Sequence, residues 1–262
     1  TSTCLNSVSP GIIFTGLIGT APYTFSYNIN GGPVQTITTT VGNSVTFPAA
    51  TTVAGTFTYN LLSVQEGSPN VCSQSQSGSA VVIVNPLPTA SINGSTALCL
   101  NSASPVINFT AAAGTAPYTF TYNINGGPNQ TVTTIVGNSV SVIVPTNIAG
   151  TFNYNLVSVR DASSTLCSQL QSGSAVVVVY PLPVADFAIS IPSCETRVAN
   201  FTDNSIAGAG TITNWLWNFG DPASGVINNT SSLQSPTHIY SVAGNYTVTL
   251  IVTTSNNCSN LL

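Results

Sequence analysis

Charge is nearly missing from this chain. Only 3% of its 262 residues are Asp, Glu, Lys or Arg, where an ordinary soluble domain carries about 25%. There is no Lys, no Met and a single His, and the two cations are Arg160 and Arg197. Holding a nucleic-acid backbone takes clustered Lys and Arg to neutralise phosphates, so composition excludes a nucleic-acid partner. The pI of 4.2 comes from six scattered acids, which form no acidic patch for basic partners. Long apolar runs are missing too. Apolar stretches end after four to eight residues at a Gly, Pro or polar residue, far short of the roughly 20 residues of a membrane-spanning helix. No membrane span is expected. Two Arg also leave trypsin-like proteases at most two sites, which suits life among extracellular proteases.

What the chain does have is cysteine: Cys4, Cys72, Cys99, Cys167, Cys194 and Cys258. None stands in a C-x-x-C or Cys/His spacing, which argues against zinc and thioredoxin-type chemistry. Six cysteines allow fifteen pairings, and the repeat described next favours Cys4–Cys72, Cys99–Cys167 and Cys194–Cys258, one bridge in each unit. Bridges closing loops of about 70 residues stabilise by roughly 4 kcal/mol each in the chain-entropy model. They imply an oxidising compartment, so an extracellular, secreted location is expected.

A shift of 95 residues superposes the chain on itself without a gap between Cys4 and Cys72. Gly19-Thr20-Ala21-Pro22-Tyr23-Thr24-Phe25 falls on residues 114–120, Asn30-Gly31-Gly32-Pro33 on 125–128, and Ala54-Gly55-Thr56-Phe57 on 149–152. Even the acids align, Glu66 with Asp161, and Cys194 follows Cys99 by the same 95 residues. Such periods mark tandem repeats. Within a unit the alternation of Tyr23 to Ile29 predicts a half-buried strand, and Asn30-Gly31 a tight hairpin turn, whose central residues need positive φ. Residues 34–40, 45–47, 56–64 and 80–84 continue the strand series, and no helical periodicity is present. Pro86-Leu87-Pro88 and Pro181-Leu182-Pro183 lie between units, and paired prolines make stiff, extended joints. The expected architecture is all-β: tandem immunoglobulin-like sandwiches over 1–85, 86–180 and 181–262, arranged as an elongated array.

A strand around 90–93 precedes Cys99 and has no counterpart before Cys4. The strands at 80–84 and 175–179 have none after Cys258. The first unit is therefore expected to lack its N-terminal strand and the third its final one. A longer array explains both, and so does a neighbouring subunit that donates strands to open sheet edges.

The third unit carries the most specific pattern. Phe201-Thr202-Asp203-Asn204-Ser205 precedes Trp215-Leu216-Trp217-Asn218-Phe219-Gly220-Asp221. Pro236-Thr237-His238-Ile239-Tyr240 and Ala243-Gly244-Asn245-Tyr246-Thr247-Val248-Thr249-Leu250 follow. This resembles the PKD domain, an immunoglobulin-like sandwich with W-x-F-G-D-G, P-x-H-x-Y and A-G-x-Y-x-V-x-L signatures. Asn218 and Pro222 depart from the usual pattern. Read physically, Trp215 and Trp217 share one strand face, Trp217 or Phe219 fills the core, Gly220-Asp221 turns the chain, and Tyr246, Val248 and Leu250 face inward. His238 has no base partner or nucleophile evident in the sequence, so it is expected to be structural, and no catalytic residue is expected anywhere. No cofactor is expected beyond weakly bound calcium, for which Asp186, Asp203 and Asp221 offer hard oxygen donors; turn-forming roles for these acids are the alternative.

The first two units resemble the repeats of giant Bacteroidota surface proteins exported by type IX secretion, including SprB-like gliding-motility adhesins. The motifs that carry this are G-T-A-P-Y-T-F, A-G-T-F and P-L-P-x-A. The resemblance implies a cell-surface stalk or filament segment whose partners are neighbouring domains and a glycan or other surface ligand. Two other readings remain open at this point. One is a carbohydrate-binding module stacking sugars on Trp215, Tyr27 or Tyr122. The other is an accessory region of a secreted hydrolase.

Overall fold

The computed structural model describes residues 1–191 and 196–262. Strands account for all the regular structure among them apart from one 3-10 turn, Pro222–Ser224.

The first set of strands is β1 (Ser2–Cys4), β2 (Gly11–Thr15), β3 (Thr24–Ile29), β4 (Gln35–Thr38), β5 (Ser44–Pro48), β6 (Gly55–Gln65), β7 (Ser73–Ser75) and β8 (Ser79–Asn85). One sheet runs β1-β8-β6-β3-β4, with β7 also on β6, and β2 pairs β5 opposite it. Alternation decides which side chains enter the space between them. Ile12 and Phe14 from β2 meet Phe25 and Tyr27 from β3, Tyr59 from β6, and Val82 and Val84 from β8. Phe14 lies 5.5 Å from Phe25 and 5.2 Å from Tyr27, ring centre to ring centre, within the range where aromatic pairs attract.

The second set repeats this plan with β9 (Thr89–Asn93), β10 (Thr96–Cys99), β11 (Val106–Ala112), β12 (Thr119–Ile124), β13 (Gln130–Thr133), β14 (Ser139–Ile143), β15 (Gly150–Arg160), β16 (Ser168–Leu170) and β17 (Ser174–Tyr180). The large sheet is β10-β17-β15-β12-β13 with β16 on β15, and the smaller one is β14-β11-β9. Here β9 adds the strand that has no counterpart beside β2, and it brings Ala90 and Ile92 onto the core. In both sets the hairpin turns on Asn-Gly with left-handed backbone, Asn30 at φ 51° and Gly31 at φ 74°, Asn125 at φ 53° and Gly126 at φ 72°, as a two-residue loop requires.

The third set is β18 (Phe187–Ser190), β19 (Val198–Asp203), β20 (Ile212–Asn218), β21 (Thr230–Ser231), β22 (Thr237–Ile239), β23 (Thr249–Thr254) and β24 (Ser259–Leu261). Sheets β18-β19-β22 and β21-β20-β23-β24 enclose Phe201, Trp217, Phe219, Leu250 and Val252. The alternation of Tyr246, Val248 and Leu250, read as inward-facing, is that of a strand, yet β23 begins only at Thr249 and Tyr246 and Val248 are half-buried. The reason is pairing. The equivalent starts of β6 and β15 are hydrogen-bonded to β8 and β17, and among the described residues no such strand lies beside 244–248.

Candidate functional site at the inter-unit junctions

Among the described residues, the cysteines sit at the ends of sheets rather than inside them. Cys4 closes β1, which runs parallel to β8 with Cys4 opposite Asn85, and Cys99 closes β10 opposite Tyr180. After each the chain turns through a left-handed Asn, Asn6 at φ 58° and Asn101 at φ 62°. Cys72 and Cys167 lie at the other end, just beyond the 11-residue strands β6 and β15. Their carbonyls accept the N–H of Glu66 and Asp161, at 3.0 and 2.9 Å. At about 3.3 Å per residue, β6 alone separates the two cysteines of its unit by about 35 Å, whereas a disulfide needs Cα atoms within about 7 Å.

The bridges therefore run between units. Cys4 is bonded to Cys167 with Cα atoms 5.7 Å apart, and Cys99 to Cys258 with Cα atoms 5.5 Å apart. This overturns the expected pairs Cys4–Cys72 and Cys99–Cys167 and leaves Cys258 bonded to Cys99 rather than to Cys194. Cys194 lies outside the described residues. Cys72 is an exposed free thiol, beside which the Glu66 carboxylate, accepting its hydrogen bond, pushes the thiol pKa up. The sequence holds a signal for where several of these cysteines sit, though none for which of them pair. The cysteines stand in polar, turn-like contexts, Cys-Leu-Asn-Ser and Cys-Ser-Gln, rather than within the alternating apolar runs that become core strands.

Polar contacts reinforce the first joint. The Asn85 side-chain amide donates to the Thr165 hydroxyl at 2.9 Å, and that oxygen lies 3.3 Å from the Cys4 sulfur and 3.2 Å from that of Cys167. Asp161 shapes the loop that presents Cys167. Its Oδ2 accepts the Thr115 N–H at 3.1 Å, and its Oδ1 accepts the Ser163 hydroxyl at 2.7 Å. Glu66 does the same in the first unit, taking the Thr20 N–H at 2.9 Å and the Ser68 hydroxyl at 2.8 Å. These bonds, the Thr20 N–H foremost, hold its carboxyl below the ordinary range.

In the third unit the expected motif residues converge on one buried cluster. Trp217 and Phe219 are both core, and Trp215 is half-buried with its indole N–H donating to Asp203 at 2.8 Å. Gly220 takes φ 71° where a Cβ would collide with the Thr247 backbone, so the turn needs glycine. Asp221 Oδ1 accepts the Ser241 hydroxyl at 2.6 Å, and Oδ2 accepts the Ser241 N–H at 2.7 Å and lies 3.3 Å from His238 Nε2. Burial opposes charge on Asp221, but the Ser241 hydroxyl and N–H, with His238, outweigh it and depress its pKa. His238 is buried, stacked on Phe219 at 4.3 Å and edge-on to Tyr240 at 4.5 Å. Tyr240 in turn stacks on Tyr246 at 4.1 Å, above exposed Gly244.

A nucleophilic triad puts the imidazole between acid and hydroxyl. Here the carboxylate sits between His238 and Ser241, which makes a clamp on the β22–β23 connection. Among the described residues no three His, Cys, Asp or Glu side chains gather as a metal would require, and Asp203 and Asp221 spend their oxygens on hydrogen bonds. The candidate sugar platforms Tyr27 and Tyr122 are buried in the cores.

Residues 181–261 match the PKD domain family. No curated protein matches the chain. Among solved structures, a three-immunoglobulin-domain segment of titin aligns over 99% of this chain and 92% of its own, at 12% identity and a TM-score of 0.53. That likeness is one of fold: tandem immunoglobulin-like sandwiches. An adhesin that helps an Antarctic bacterium bind ice aligns at 15% identity and TM-score 0.44, over 96% of this chain and 66% of the other. A 1.5-MDa bacterial ice-binding adhesin aligns at 12% identity and TM-score 0.46, over 97% and 88%.

Proposed function

We propose that these residues are a non-catalytic stalk segment of a secreted bacterial cell-surface adhesin, which holds adhesive regions away from the cell. The observation that carries this reading is the covalent bond across each joint: Cys4–Cys167 and Cys99–Cys258 tie consecutive units together. A bond placed there keeps neighbouring units in register under load, a task for a strut rather than for a lone binding module. Stiff Pro-Leu-Pro links, a surface with almost no charge and a PKD-type third unit fit the same role. The 95-residue repeat supports a division into units at 1–85, 86–180 and 181–262. Export by type IX secretion and kinship with gliding-motility adhesins rest on the G-T-A-P-Y-T-F and P-L-P-x-A motifs. A sugar-binding module is less favoured, since two of its three candidate platforms are core residues.

Pulling on the chain ends tests the reading. With both bridges intact the shortest covalent path is roughly 75 residues, or about 270 Å fully extended. Reduction should lengthen that to about 940 Å. A chain that unravels to the same length with and without reductant would sink the strut reading.

A further inference from the structure

Cys72 is the one thiol among the described residues left without a bridge, and it stands where the other two units are bonded to the unit before them. The loops agree in detail. Cys72, Cys167 and Cys258 each follow a left-handed residue, Val71 at φ 50°, Leu166 at φ 50° and Asn257 at φ 60°. Val71 donates its N–H to Ser68 as Leu166 does to Ser163, both at 2.9 Å, and Gly67 donates to Thr20 as Ala162 does to Thr115, at 2.9 and 2.8 Å. The surroundings differ. Where the loop is bonded to Cys4, Asp161, Ser163 and Cys167 are buried. In the first unit Glu66 and Ser68 are half-buried, Cys72 is exposed, and a cleft of about 400 Å³ opens between Tyr23, Val64, Glu66 and Cys72.

We propose that Cys72 and this cleft form the acceptor half of a junction. Its occupant is the Cys-Leu-Asn-Ser end of another unit of the same repeat, which bonds to Cys72 as Cys4 bonds to Cys167. The array is then stapled by a ladder in which the first cysteine of each unit is bonded to the second cysteine of the next. The bond forms by loss of two thiol protons and two electrons to a disulfide oxidant, oxidised glutathione for example, which leaves as two thiols. The proposal does not depend on what the array carries at its tip, because it follows from the internal repeat together with the two bridges between units.

The test is an extended chain in which residues 1–95 are placed ahead of Thr1, keeping the 95-residue register, with Cys72→Ser in the added copy only. The added Cys4 then precedes the original Cys72 by 163 residues, the separation of Cys4 from Cys167. After oxidation with glutathione disulfide, alkylation and non-reducing peptide mapping should find the added Cys4 joined to Cys72 and Cys72 no longer alkylated. A second variant with Cys4→Ser in the added copy should restore alkylation of Cys72 while the other two bridges persist, which shows that the chain is folded. If Cys72 stays alkylated in the first chain, or joins any other cysteine, the ladder is wrong. Protection of Cys72 in the second variant would overturn it equally.

Discussion

Asn85, the last residue of β8, reaches across the first joint and donates its side-chain amide to the Thr165 hydroxyl at 2.9 Å. That hydroxyl lies against both sulfurs of the Cys4–Cys167 bridge, so the link between the first two units is a bonded cluster rather than a lone staple. Thr165→Val keeps the shape and removes the acceptor. It should lower the free energy of unfolding by about 1 kcal/mol, read as a drop in the denaturation midpoint at unchanged slope. The same substitution in a Cys4→Ser, Cys167→Ser background should cost less, because the bridge no longer holds Asn85 in place.

The clamp on Asp221 gives the third unit an acid sensitivity. Burial opposes its charge, yet the bonds from Ser241 and His238 hold its pKa below the ordinary 3.8. Asp203 follows the same pattern, burial again opposed, through Ser205, Gln234 and Trp215. A carboxylate with a depressed folded pKa contributes stability that is fully present above its unfolded value and is lost as pH falls through the folded one. The contribution of these two carboxylates to the stability of the third unit should therefore be constant from neutral pH to about 4 and decline below that. Ser241→Ala should weaken the decline. Thermal unfolding between pH 2 and 7, followed by tryptophan fluorescence, checks both, since Trp215 and Trp217 are the only tryptophans and both lie in this unit.

Trp217 and Trp215 should differ in their cost. Trp217 is fully buried between Phe187, Phe201 and Phe219, so Trp217→Ala should destabilise by about 3–5 kcal/mol. Trp215 is half-buried and anchored through Asp203, and Trp215→Phe should cost only about 1–2 kcal/mol. Equal losses in denaturant titrations would contradict this packing.

Much of the architecture was legible because it is written locally. The alternation of Tyr23 to Ile29 became β3, Asn30-Gly31 became its hairpin turn, and the Trp217–Phe219 pair became the third core. Strand β2 left a weaker trace, since Ile13 between Ile12 and Phe14 is apolar yet exposed and masks the alternation. The disulfide partners were not legible, because pairing depends on which end of a sheet each cysteine occupies. A 95-residue repeat is equally compatible with bridges inside units and bridges shifted by one unit. Only the course of β6, which carries Cys72 away from Cys4, separates the two. Tyr246 shows the same limit: its sequence favours a strand, but a strand needs a partner.

Peptide mapping of the intact, oxidised 262-residue chain without reduction tests the central claim most directly. The account predicts peptides joining Cys4 to Cys167 and Cys99 to Cys258, with Cys72 recovered as an alkylated thiol. Peptides joining Cys4 to Cys72 and Cys99 to Cys167 would contradict it.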